Sequence, residues 1–215
     1  MTTATASVKA NESSLIFSGP MVRAILEGRK TQTRRVVTPQ PTNPPFSAKV
    51  EDDELWWELN ERGNWHRHPR RCPFKPGWRV WVREAWDYAD ESTLAKPVPA
   101  YRAGGGAAVS SPSWRSPIHM PRWASRITLE IESVKVERVQ EIDELSALAE
   151  GVEGERIVAG TMREAGKAPR AGEWVVGAAR NGFAALWDDI HGDGAWERND
   201  WVWVLTFRVL TPATA

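Results

Sequence analysis

The stretch that most constrains this chain is residues 201–210, Trp-Val-Trp-Val-Leu-Thr-Phe-Arg-Val-Leu. Side chains alternate along an extended backbone, so Trp201, Trp203, Leu205 and Phe207 share one face, and Val202, Val204 and Thr206 share the other. Both sets are almost wholly apolar, which demands a strand covered on both sides. A second long strand is expected over residues 127–139. There Ile127, Leu129 and Ile131, then Val134, Val136 and Val139, alternate with a phase slip near Ser133 that marks a bulge or bend. Residues 79–86 make a third strand after the turn at Lys75, Pro76 and Gly77. Val80 and Val82 lie on one face of it, and Arg79, Trp81 and Arg83 on the other.

Shorter elements fill the intervals. Residues 15–17 read as a strand. Ser18 then stands near the cap of a short helix with Pro20 in its first turn and Met21, Ile25 and Leu26 as its buried stripe. Residues 33–37 tend to a strand because Val36 and Val37 are β-branched. Residues 142–150 form a helix with Asp143 and Glu144 in its first turn and Gly151 as its stop. Residues 181–190 form another, with Phe183, Leu186, Trp187 and Ile190 on one stripe and Asp188 and Asp189 on a solvated face. Residues 1–13 read as a frayed tail. The remainder, 14–210, is expected as one domain with insertions near 38–62, 88–117 (a mobile loop) and 153–175. This order favours an α+β domain with a mixed or closed sheet over a doubly wound one. No glycine-rich phosphate fingerprint follows a strand, so no nucleotide cofactor is expected.

Formal net charge is zero over 215 residues, so any nucleic-acid surface must come from local segregation of charge. One cysteine, Cys72, excludes an internal disulfide. No apolar run approaches membrane-spanning length, and residues 1–13 lack the basic start and apolar centre of a signal peptide. The expectation is a cytoplasmic protein without a membrane partner. Tryptophan is the anomaly, with 13 against 2 Tyr and 5 Phe, enough for both a core and a groove wall. Between residues 62 and 83 there are seven cations, Arg62, Arg67, Arg70, Arg71, Lys75, Arg79 and Arg83, and no acid, with Trp65, Trp78 and Trp81 interleaved. Cations among flat aromatic faces suit a phosphate backbone with stacked bases. The alternative is a solvated arginine-rich loop beside a tryptophan core.

Residues 25–35, Ile-Leu-Glu-Gly-Arg-Lys-Thr-Gln-Thr-Arg-Arg, place four cations behind a short apolar run. Lys30 and Thr33 share a face if the helix persists, and an amine beside a hydroxyl activates a weak nucleophile. His66, His68, Cys72 and His119 offer metal donors, but their spacing matches no zinc pattern and Arg67, Arg70 and Arg71 repel a dication, so no metal is expected.

The run "ILEGRKTQTRR", then "KPGWRVWVREAW", the long strand with "SPIHMPRWASRITLEI" before it, "ALAEG" and the final "WVWVLTF" together resemble the ASCH domain, a PUA-like β-barrel. The likeness is nearest to the longer ASCH-like proteins of phages and prophages. It implies about five to six strands with flanking short helices and long loop insertions, binding of RNA or a modified nucleoside, and no cofactor. Some small members are amidohydrolases that remove the acetyl group of N4-acetylcytidine. Their Lys, Thr and Glu fall here on Lys30, Thr33 and Glu150 as catalytic residues. Amide hydrolysis needs a nucleophile, a proton shuttle and an oxyanion partner, so Thr33 Oγ is expected to attack the carbonyl or orient a water, Lys30 to take the proton with its pKa lowered by burial or nearby arginines, and Glu150 to hold the amine or the cytosine nitrogen. The alternative for the same residues is a Lys30–Glu150 salt bridge that only closes the fold. Arg29, Arg34 and Arg35 would position an anionic ligand, with Arg35 also available to an oxyanion. Arg83 and Glu84 would pair in the barrel mouth, where Trp86 stacks on a base beside Trp81. His119 would line the pocket or sit satisfied under Trp123, and Arg122 and Arg126 would meet phosphates or be ordinary surface arginines. The chain departs from the family at Trp78, where an acid usually follows the turn glycine, and in being about twice the length of the small enzymes. A non-catalytic RNA-binding module and a ribonuclease are the alternative functions, as a monomer or weak homodimer.

Overall fold

The computed structural model describes residues 12–40, 47–51, 54–58, 65–67, 72–89, 98–104, 114–152 and 178–210. Their fold is mixed α+β. The strands are β1 (Glu12–Ile16), β2 (Gln32–Val36), β3 (Ser47–Glu51), β4 (Glu54–Glu58), β5 (Trp65–Arg67), β6 (Arg79–Arg83), β7 (Trp86–Tyr88), β8 (Pro99–Tyr101), β9 (Thr128–Arg138) and β10 (Trp201–Val209). The helices are α1 (Gly19–Leu26), α2 (Glu144–Ala149) and α3 (Ala178–His191). Five strands form one sheet in the order β1-β6-β9-β10-β2, while β3-β4-β5 and β7-β8 form two smaller sheets. No closed barrel is present among the described residues.

Two compact units divide the chain. The first takes the described residues of 1–23, 76–131 and 208–215. Here β1 pairs with β6 in parallel, Ser14 opposite Trp81, and β6 pairs with the start of β9 antiparallel, Val80 opposite Leu129. Val80, Val82, Ile127, Leu129 and Ile131 are all buried, as the alternation requires. Strand β7, at the edge of the segment expected as a mobile insertion, pairs antiparallel with β8 inside it, Trp86 opposite Tyr101. Trp86 packs with Met120 and Ala124 in a small core, and residues 90–97 and 105–113 of that segment lie outside the described residues.

The second unit takes the described residues of 24–75 and 132–207. β10 pairs antiparallel with β2, Leu205 opposite Thr33. Trp201 to Leu205 are buried without interruption, so this strand is covered on both faces. Its core gathers Val139, Ile142 and Ala147 with Phe183, Trp187, Val202 and Val204. Trp57 of β4 packs on Trp201 with ring centroids 5.2 Å apart. Leu186 is only half-buried and Ile190 is exposed, so the α3 stripe is narrower than its periodicity suggests. Asp189 is exposed, whereas Asp188 is half-buried and its Oδ1 accepts the Trp196 N–H at 2.8 Å.

Candidate functional site

A glycine delivers Lys30 to the interior. Helix α1 ends at Leu26, and Gly28 adopts φ 72°, the left-handed conformation that glycine takes without steric cost. The Gly28 N–H reaches the Ile25 carbonyl at 3.0 Å and the Arg29 N–H reaches that of Ala24 at 2.9 Å, the paired bonds of a Schellman stop. This corrects the expectation that Lys30 and Thr33 share a helix face: Lys30 follows the stop, and Thr33 lies in β2. The Thr31 N–H then bonds the Ala149 carbonyl at 2.8 Å, tying the turn to the end of α2. Asp143 caps α2 by accepting the Ser146 N–H at 2.7 Å, and Gly151 ends it at φ 78°. These two helix endings bring Lys30 and Glu150 together.

Lys30 Nζ donates to Glu150 Oε2 at 2.7 Å and to the Glu150 carbonyl at 2.8 Å. The other carboxylate oxygen accepts from Arg34 Nη1 at 3.0 Å. Arg34 also donates through Nη2 to Glu137 Oε1 at 2.6 Å, and Lys135 Nζ meets Glu137 Oε2 at 2.6 Å. Lys30, Arg34, Glu137 and Glu150 are all buried, Lys30 with only 1% of its surface exposed. Burial pushes the Lys30 amine below the usual lysine range, Glu150 opposing the shift and Arg35 and Arg34 adding to it.

Alternation along β2 turns Thr33 and Arg35 to the face opposite Arg34. Thr33 is buried, and its Oγ1 accepts from Arg35 Nη1 at 2.6 Å, while the same nitrogen donates to the Arg34 carbonyl at 2.8 Å. Lys30, Glu150 and Arg34 are therefore joined directly, and Thr33 is joined to Arg35. A hydroxyl that accepts from a guanidinium keeps its own proton free to give away, and the cation stabilises the oxygen left behind. The site can thus hold a carboxylate-bound amine of lowered basicity and a polarised hydroxyl. Arg34, expected to hold an anionic ligand, is instead occupied by two protein carboxylates. Arg29 is exposed and held by Glu27 at 2.7 Å.

The first unit contains a second buried ion pair. Glu84 does not pair with Arg83, as expected, but accepts from Arg126 Nε at 2.9 Å and Nη2 at 3.0 Å. Burial raises the Glu84 carboxyl above the usual range despite Arg126. Arg126 also lies 4.1 Å from the Tyr101 ring centroid. Arg83 donates to the Ile118 carbonyl instead. Trp86, expected to stack on a base, is buried and packs edge-on against Tyr88 and Trp123. The open aromatic face belongs to Trp123, which is 53% exposed and stacks on Tyr88 at an interplanar angle of 21°. His119 is exposed rather than buried under Trp123. Trp81 is half-buried, with the guanidiniums of Arg83 and Arg122 at 5.4 Å and 5.9 Å from its ring centroid, and Arg122 bonds Glu12 at 3.2 Å. Arg62, Arg70, Arg71 and His68 lie outside the described residues. Of the other proposed metal donors, Cys72 is buried and His66 is exposed.

Glu137 and Arg126 are the partners that the sequence reading missed. Glu137 has the strand parity of the apolar Val139, a carboxylate at a core register, and that was the available signal. Nothing local to Arg126 announces Glu84, which is 42 positions away. No protein-family model, curated protein or solved structure matches this chain.

Proposed function

We propose that this chain is an ASCH-like protein, its main sheet part of a PUA-like barrel, that binds RNA or a modified nucleoside in the cytoplasm and hydrolyses the acetyl amide of N4-acetylcytidine or a related base. The observation that carries this reading is the buried Lys30–Glu150 pair, at the positions that match the family's catalytic run, with the amine made less basic by burial. In this mechanism Thr33 Oγ, polarised by Arg35, attacks the acetyl carbonyl or aligns a water that does so. The departing proton passes to Lys30, which returns it to the exocyclic nitrogen as the amide breaks. Water then releases acetate from Thr33 where the hydroxyl itself has attacked. Glu150 fixes the amine for both transfers. Both reacting side chains are sealed in this conformation, so the substrate reaches them only after the packing over them opens.

One observation favours a non-catalytic RNA-binding module instead. Arg34 is paired with both Glu137 and Glu150, and Lys30 with Glu150, as in an ion-pair cluster that only fixes a fold. Turnover separates the readings. The purified protein should release cytidine and acetate from N4-acetylcytidine. Thr33→Val, nearly isosteric, should lose at least about a hundredfold in kcat/KM, in the range of a lost nucleophile or proton-transfer group. Release of cytidine at the wild-type rate by both Thr33→Val and Lys30→Met rules the mechanism out.

A further inference from the structure

We propose that the cavity at the start of α1, in the first unit, binds a terminal phosphate, the phosphomonoester of a nucleotide or of an RNA end. The cavity has a volume of 470 Å³, the size of a small-organic-ligand site, and its wall includes Phe17, Gly19, Arg23, Ala85, Arg102 and Pro117. Among the described residues, its only charged lining groups are Arg23 and Arg102, and no carboxylate lines it. Neither arginine has an acidic partner among the described residues. Arg34, Arg115, Arg122 and Arg126 differ in this respect, since each holds one. The acid that helical spacing offers to Arg23, Glu27 at i+4, is bonded to Arg29 at 2.7 Å.

Position sharpens the case. Arg23 Nη1 lies 3.7 Å from where a Cβ on Gly19 would stand, so the guanidinium folds back toward the start of its own helix. A cation beside the positive end of a helix is unfavourable, and an anion seated between the two reverses the sign. Arg102 is anchored by its N–H to the Ala85 carbonyl at 3.0 Å, and Phe17 by its N–H to the Arg83 carbonyl at 3.0 Å, so two walls are preset. Two guanidiniums match a monoester, which carries about −1.5 to −2 at neutral pH, better than a singly charged diester link. Phe17, Ala85 and Pro117 leave apolar surface for the group that carries the phosphate.

The proposal holds whether or not Lys30 and Thr33 are catalytic. Calorimetric titration at fixed ionic strength tests it with cytidine 5′-monophosphate against cytidine, and a short single-stranded RNA bearing a 5′-phosphate against the same RNA with a 5′-hydroxyl. At least one phosphorylated probe should bind roughly tenfold or more tightly than its counterpart, and Arg23→Gln or Arg102→Gln should each remove about tenfold. Both side chains are exposed, so these variants should keep the wild-type circular dichroism. A gain with the mononucleotide alone assigns the site to free nucleotides, and a gain with RNA alone to RNA ends. Equal affinity within both pairs, no binding by any probe, or a phosphate gain that survives Arg23→Gln/Arg102→Gln overturns the proposal. No turnover enters the readout, so failure here is separate from failure of the amidohydrolase reading.

Discussion

Glu150 joins two different buried cations, Lys30 through one carboxylate oxygen and Arg34 through the other. Replacing it by Gln leaves both Lys30 and Arg34 undercompensated, and stability should fall by about 3–5 kcal/mol, the range for a broken buried pair. Lys30→Met removes one cation and leaves Arg34 on the carboxylate, so it should cost less. Urea unfolding of the two variants checks the order, and a larger loss in Lys30→Met contradicts this division of charge. Gly151 is the second critical residue. Its φ is 78°, and a Cβ there would stand 2.8 Å from the Ala24 Cβ and 3.0 Å from the Lys30 Cβ. Gly28 has a similar φ but open space around it. Gly28→Ala should therefore cost only the backbone strain of about 1–2 kcal/mol, and Gly151→Ala clearly more, measurable by the same unfolding. Identity was legible at this scale and partnership only in part. Glu150 could be aligned with Lys30, but Arg34 looked like a ligand group because its partner Glu137 lies 103 positions away.

Elements were legible wherever periodicity and stop signals agreed. β10 with both faces apolar, β6 with one, and α2 between Asp143 and Gly151 follow from pattern alone. The end of α1 was misjudged because Gly28 stands among helix-compatible neighbours, and its stop function is expressed in φ and two backbone bonds. The β7-β8 hairpin was hidden by a glycine- and serine-rich sequence around it, whereas its stability comes from Trp86 and the small core beneath. The α2 cap gives a pH-dependent test. Its hydrogen bond to the Ser146 N–H lowers the Asp143 pKa, so the cap's contribution is full above the unfolded value near 3.8 and is lost as pH falls through the still lower native value. Asp143→Ala should cost about 1 kcal/mol at pH 7, and the difference from wild type should shrink below pH 4. A gap that stays constant down to pH 2 would contradict the assignment of the cap.

For the whole molecule, the α+β class was readable from the order of its elements, whereas a net charge of zero says nothing of which cations are paired. Many cations of the described residues then prove to be spent on the protein's own acids, as Arg34, Arg115, Arg122 and Arg126 are. Composition cannot reveal such pairing, since it joins segments far apart in sequence. No helix among the described residues is long and apolar enough to cross a membrane. Among the described residues the fold places a buried amine–carboxylate pair in the second unit and, in the first, a cavity lined by two arginines without an acidic partner. The claim that the former is a nucleoside site is tested most directly by a crystal structure with bound cytidine, the product of the proposed reaction. The exocyclic nitrogen should lie within hydrogen-bond distance of Lys30 Nζ or Glu150, with Thr33 Oγ facing the vacated acetyl position. Cytidine bound elsewhere, with the Lys30–Glu150–Arg34 bonds unbroken, would contradict it.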